Sequence, residues 1–133
     1  MCRSAKILII FFLFLSCFRL SAQDGSYDVF VPIAKYMGKG DVDKLAAWFS
    51  DNLEISIIST SNDSSKNQAK QILKSFFNSY TPRSFDITHT AGRSNMKYAL
   101  GSLTAGGEVF IVTIFVTCKG DSFRIQQLEI DRQ

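Results

Sequence analysis

The chain has 133 residues, of which 46% are hydrophobic and 20% are charged, and its formal net charge is +3. The basic excess comes from Arg3, Lys6 and Arg19, so residues 23–133 contain equal numbers of basic and acidic side chains. A neutral domain excludes a nucleic-acid partner bound through a basic surface, and it excludes a polybasic membrane adhesin. The ~110 residues that follow the first 22 are enough for one domain with one core.

The first 22 residues predict a secretory signal peptide. Arg3 and Lys6 precede an apolar run over residues 7–15, which is shorter than the ~20 residues that span a bilayer. We expect cleavage after Ala22 and export to the periplasm or the medium, with membrane contact only through an uncleaved leader. The alternatives are an N-terminal membrane anchor or a buried helix, and a lipid-attachment signal ending at Cys17. The bulky Leu15 directly before Ser16 fits a lipid-attachment signal poorly.

Apolar spacing predicts two helices at the start of the domain. The first covers residues 28–40 and ends at Gly40, a residue that commonly stops helices. The second begins at Asp41, whose side chain suits a helix cap. Its apolar face is predicted to contain Leu45, Trp48 and Phe49.

The third predicted helix, over residues 65–80, has the clearest pattern in the chain. Ser65 and Gln68 have the spacing of a capping box, and an apolar stripe follows them. A lysine also recurs at every fourth position, in Lys66, Lys70 and Lys74. Such a lysine row is typical of the solvated edge of a surface helix, and the alternative function is an anion-binding patch.

Alternating residues and turn signals predict five strands. They cover residues 53–59, 84–90, 97–104, 108–118 and 122–130. In the last strand, the apolar positions change parity at Gln126 and Gln127. This change predicts a β-bulge that bends the strand and the sheet.

The strand over residues 108–118 is apolar on both faces. One face is predicted to contain Phe110, Val112, Ile114 and Val116, and the other Val109, Ile111, Thr113 and Phe115. Three helices can cover only one of these faces, and the other must be covered as well. We therefore expect a homodimer in which the uncovered sheet faces of two copies pack together. The alternative is that the bend at Gln126 and Gln127 and the first residues of the chain cover this face within one subunit.

The predicted element order resembles that of the nuclear transport factor 2-like superfamily. More narrowly, the chain resembles a family of small exported proteins of unknown function from Bacteroidetes-type bacteria. The segments that carry this resemblance are residues 29–36, 40–57, 65–77, 96–108 and 126–130. It implies an α+β, cystatin-like fold, in which three N-terminal helices pack on a strongly bent antiparallel sheet to form a cone.

The superfamily contains both enzymes and non-catalytic binding domains, so the resemblance does not assign a function. We expect a non-catalytic exported domain, without metal or cofactor, that binds a small apolar ligand or a protein partner or has a structural role. The candidate pocket residues inside the cone are Tyr36, Trp48, Phe77, Tyr80, His89 and Tyr98. The alternative is a cofactor-free isomerase or hydrolase with a general base in the cone. The acid–base candidates are Tyr36, Glu54, Asp86, His89, Tyr98 and Glu108, and none lies at a diagnostic catalytic spacing.

Overall fold

The computed structural model describes residues 28–133. Its helices are α1 (Phe30–Lys39), α2 (Val42–Ala46) and α3 (Lys66–Ser79). Its strands are β1 (Phe49–Ile57), β2 (Thr60–Ser65), β3 (Pro82–Gly92), β4 (Met96–Ala105), β5 (Glu108–Lys119) and β6 (Ser122–Arg132). The predicted signal peptide lies outside these residues. Within residues 28–133, no helix has the length and apolar character needed to cross a bilayer.

The predicted helix boundaries are confirmed where a local signal specifies them. Gly40 ends α1 in the left-handed conformation, with φ of 69°. The Asp41 side chain caps α2 by accepting a hydrogen bond from the Lys44 backbone N–H. Ser65 and Gln68 form the predicted capping box at the start of α3. These short-range contacts satisfy backbone groups that a helix end otherwise leaves unpaired.

All six strands form one sheet in the order β2-β1-β6-β5-β4-β3. The pairing of β1 with β6 is parallel, and the other four pairings are antiparallel. The α+β fold class is confirmed, and the parallel pairing makes the sheet mixed. The predicted bulge is also present, because Phe115 pairs with Gln127 and Val116 with Ile125, which leaves Gln126 as the extra residue of β6.

Two features of the β1 region differ from the sequence prediction. The helix α2 ends at Ala46, so Trp48 lies in the following turn and Phe49 is the first residue of β1, and neither belongs to the apolar face of α2. The strand β2 was not predicted, because its sequence is polar throughout and its turn lacks glycine and asparagine. Ile58 and Ser59 form that turn with φ of 46° and 70°. Non-glycine residues rarely adopt such a conformation, so the turn had no recognisable signal.

The inner face of the sheet packs against the helices and forms the core. In β5 the inner residues are Phe110, Val112, Ile114 and Val116, all of them fully buried. The helices contribute Ile33 and Met37 of α1, Leu45 of α2 and Leu73 of α3, also fully buried. The Lys70 and Lys74 ammonium groups of α3 lie 2.8 Å and 3.3 Å from the Asp43 carboxylate, which connects α2 with α3.

Candidate functional site

The outer face of the sheet contains an apolar patch centred on β5. Val109 and Ile111 remain 38% and 44% exposed. Cross-strand partners in a sheet share a face, so Phe115 lies beside Tyr98 and Thr113 beside Leu100. We define the outer apolar patch by its larger side chains, which are Tyr98, Leu100, Val109, Ile111 and Phe115. This arrangement agrees with the predicted alternation of β5.

A cluster of carboxyl groups on β6 borders the outer apolar patch. Glu129 pairs across the ladder with Thr113, and Asp131 pairs with Ile111. A hydrogen bond between Glu129 and Asp131, partial burial, and the negative charges of Asp131 and Glu54 raise the pKa of Glu129. Asp131 also accepts a hydrogen bond from the Ser59 backbone N–H at 3.2 Å. This edge of the patch is therefore acidic.

Two of the predicted pocket residues, Phe77 in the last turn of α3 and Tyr80 at its C-cap, each contact Phe76. Tyr80 stacks on Phe76 with a centroid distance of 5.1 Å and meets the edge of Phe110 at 5.1 Å. Its hydroxyl accepts a hydrogen bond from Arg132 at 3.0 Å. Phe77 is buried next to Phe76, with their ring centroids 5.5 Å apart. Both aromatic rings therefore belong to the packed layer between α3 and the sheet.

The other four predicted pocket residues lie in two other places. Tyr36 is half-buried on α1, with the ammonium groups of Lys35 and Lys44 5.8 Å and 5.9 Å from its ring centroid. Trp48 is half-buried between α2 and β1 and packs against the core. The rings of His89 and Tyr98 lie on the outer side of β3 and β4, with their centroids 6.2 Å apart. The structure brings His89 and Tyr98 together, and it places them on the opposite side of the sheet from Phe77 and Tyr80.

Apart from the neighbouring pair His89 and Tyr98, the acid–base candidates lie at separate positions. Asp86 and His89 are exposed on β3. Glu108 forms an ion pair with Arg132, and the hydrogen bond to Tyr80 together with the Glu108 charge raises the pKa of that guanidinium. Among residues 28–133 there is no group of three or more His, Cys, Asp or Glu side chains arranged to hold a metal ion.

The pairing of β1 with β6 opens near one end of both strands. Phe49 pairs with Ile125 and Glu54 with Gln127, so residues 50–53 lie opposite the single residue Gln126. We call this opening the strand gap. An open cavity of about 540 Å³ lies there, which is within the ~300–1,000 Å³ typical of small-molecule sites. Its polar lining includes Ser50, Asp51, Lys66, Lys119, Arg124 and Gln126.

None of the six predicted pocket residues lines this cavity. The sequence prediction missed it because its residues come from three strands and the first turn of α3, which no short motif connects. One signal did point to the region, namely the change of parity at Gln126 and Gln127. That signal predicts the bulge, but it does not identify the strand that lies opposite.

One family model and several solved structures match most of this chain. The family model for a domain of unknown function, DUF4783, matches residues 30–131. The crystal structure of a DUF4783 family protein from Bacteroides uniformis is similar at a TM-score of 0.76 and 22% sequence identity. The match covers 80% of this chain and 98% of that chain. A search of functionally curated proteins gave no match.

More distant structures have the same architecture. A nuclear transport factor 2-like protein of unknown function from Cytophaga hutchinsonii has a TM-score of 0.60 at 6% identity, with 84% of this chain and 93% of that chain covered. A domain of unknown function with a cystatin-like fold from Nostoc punctiforme has a TM-score of 0.61 at 13% identity. That match covers 77% of this chain and 71% of that chain. These similarities agree with the predicted superfamily fold, and at such low sequence identity they establish only the fold.

Proposed function

The chain belongs to the DUF4783 family, and we propose that its domain is an exported, non-catalytic binding module that works as a homodimer. The two copies pack through the outer apolar patches of their sheets. The observation that carries this proposal is the exposure of Val109 and Ile111 on the side of the sheet opposite the helices. Export rests on the predicted signal peptide.

The geometry of the outer apolar patch suits a second copy of the chain. The two strands that carry it, β4 and β5, with ~4.8 Å spacing and about nine residues at ~3.4 Å, give an apolar face of roughly 300 Å². The outer faces of β3 and β6 would add the remaining contacts toward the ~800 Å² that each partner contributes to a standard interface. Residues 23–133 have no net charge, so long-range repulsion between copies is small. A two-fold axis parallel to the sheet would pack each patch against its equivalent.

The placement of the acid–base candidates supports a non-catalytic role. A general base works in a site that excludes water and shifts its pKa. Asp86 and His89 are exposed, and Glu108 is bound to Arg132. Phe77 and Tyr80 lie on one side of the sheet, and His89 and Tyr98 lie on the other. This arrangement favours a binding or structural role over the isomerase or hydrolase alternative.

Replacing Ile111 with a charged residue tests the dimer directly. We expect the wild-type protein to sediment as a dimer at micromolar concentration and Ile111→Glu to sediment as a folded monomer, because a buried unpaired carboxylate opposes association. Val31→Glu is the matched control, since Val31 is 66% exposed on α1 and gains the same charge. The control should stay dimeric. A wild-type protein that sediments as a monomer would refute the proposal.

A further inference from the structure

Three cationic side chains line the strand gap, and none of them forms an ion pair with another residue of 28–133. They are Lys66 at the start of α3, Lys119 at the end of β5 and Arg124 in β6. The ion pairs of residues 28–133 involve other cations, so no carboxylate oxygen in this part of the chain lies within 4.0 Å of these three. Asp51 also lines the cavity, so its lining has a formal charge of +2.

The neighbouring lysines of α3 show how differently Lys66 is placed. Lys70 and Lys74 lie on the same edge of the helix, and both bind Asp43, whose pKa they lower. Those two lysines therefore act in tertiary structure. Lys66 faces the cavity instead, with Lys119 and Arg124 on the opposite strands. The lysine row predicted as a solvated edge is thus divided between two environments.

A buried hydroxyl provides a second, independent indication of a ligand. Ser50 lines the cavity and is only 6% exposed. Its side chain makes no hydrogen bond with any residue in the part of the chain that the structure describes. Buried hydroxyls in folded proteins nearly always have a partner, because burial without one is unfavourable. An acceptor atom of a bound ligand would complete this site.

Arg124 is already held in position by the protein. Its Nη1 donates a hydrogen bond of 2.6 Å to the Ala47 carbonyl oxygen, which restricts where the guanidinium lies. A guanidinium has five N–H donors, so further donors remain for a ligand. A guanidinium suits the planar, two-point binding of phosphate and carboxylate groups.

We propose that the strand gap is a binding site for a small, doubly charged oxyanion, either a phosphate ester or a dicarboxylate. Arg124 of β6, Lys119 at the end of β5 and Lys66 of α3 neutralise its charge, and the Ser50 hydroxyl donates a hydrogen bond. The net charge of +2 in the lining matches a ligand of charge −2. This site is separate from the outer apolar patch and does not depend on dimer formation.

The test uses glycerol 1-phosphate and succinate as probes, each titrated into the isotope-labelled protein at about 20 mM salt, where screening is weak. We expect one or both to shift the backbone amide signals of residues 50–53 and 119–126 in a saturable way. Lys119→Gln should weaken binding roughly tenfold, since it removes a charge-assisted hydrogen bond. Lys39→Gln is the matched control, because Lys39 is an exposed lysine at the end of α1, and it should leave the affinity unchanged.

Ser50→Ala separates a ligand-binding hydroxyl from a structural one. We expect it to weaken probe binding about threefold while the melting temperature stays the same or rises, because no hydrogen bond within the protein is lost. If only one probe saturates, it identifies the ligand as a phosphate ester or as a dicarboxylate, and if both saturate, the site recognises their shared charge of −2. The proposal is refuted if neither probe shifts these amides at millimolar concentration. It is also refuted if Lys39→Gln weakens binding as much as Lys119→Gln, since the attraction would then be diffuse.

Discussion

The two faces of β5 differ in environment although they are built from alternate residues of one strand. Ile114 is fully buried beneath the helices, whereas Ile111 is 44% exposed on the outer face. The inner neighbours of β5 in β4 are also buried, among them Ala99 and Leu103. The outer neighbours include half-buried Tyr98 and Leu100. Hydrophobicity alone therefore does not distinguish a face that forms the core from one that is available for binding.

Truncating the same residue type on the two faces tests this difference most strongly. Ile114→Ala should lower the free energy of unfolding by about 3 kcal/mol, because it leaves a cavity in the packed layer. At a protein concentration where the chain is monomeric, Ile111→Ala should lower it by less than about 1 kcal/mol, because the side chain is partly solvated within one subunit. Urea unfolding of both variants at matched protein concentration measures the two values. Equal losses would mean that the outer face is as tightly packed as the inner one.

Adding a methyl group to the inner face, instead of removing side-chain atoms from it, is expected to change the stability by a smaller amount. Gly101 lies on the inner side of β4, and a Cβ atom there would meet the Phe85 ring and lie 2.9 Å from the Asp86 carbonyl oxygen. Gly101→Ala should therefore lower the free energy of unfolding by about 1–3 kcal/mol.

The adjacent residue supplies the control for this variant. Ser102 pairs with Ile111 on the outer face, and Ser102→Ala should change the stability by no more than about 0.5 kcal/mol. Thermal unfolding of the two variants compares neighbouring positions in one strand. If Gly101→Ala is as stable as the wild type, the Phe85 ring moves easily and the inner face is looser than its burial indicates.

The sequence predicts the faces of this fold better than it predicts the sites. Capping residues and strand alternation depend on contacts between near neighbours, so α3, β5 and the bulge at Gln126 are predictable. The strand β2 is not, because its turn at Ile58 and Ser59 uses a conformation that these residues seldom adopt. The strand is stabilised by its pairing with β1, which is a tertiary effect.

The strand gap illustrates why cavities are harder to predict than elements. Lys66 and Lys119 are more than fifty positions apart in the chain, and Ser50 precedes both. Their proximity depends on β1 and β6 pairing in parallel and then diverging around Gln126. The aromatic candidates failed to indicate this cavity for a related reason. Aromatic residues that are predicted to face inward indicate that a core exists, but they do not show whether that core contains a cavity.

The smallest expected effect concerns the acidic border of the outer face. Glu129 has a raised pKa in the folded protein because of its hydrogen bond with Asp131, partial burial and nearby negative charge. The folded state therefore binds this proton more tightly than the unfolded state. The resulting stabilisation is fully present below the unfolded pKa of ~4.3 and is lost as the pH rises through the higher folded pKa.

Glu129→Gln should remove this pH-dependent loss. The amide stays neutral and still donates to Asp131, so we expect a melting temperature above that of the wild type at neutral pH. The difference should shrink toward pH ~4, where the wild-type carboxyl is protonated as well. Glu108→Gln is the control, because that carboxylate binds Arg132 and its removal should give no increase. A higher melting temperature of Glu129→Gln at neutral pH would mean that the outer-face carboxyl cluster reduces monomer stability. That cost is expected of a surface retained for binding. A decrease with Glu129→Gln would instead assign the cluster to the stability of the fold, and the contrast between the two faces would then be confined to the outer apolar patch.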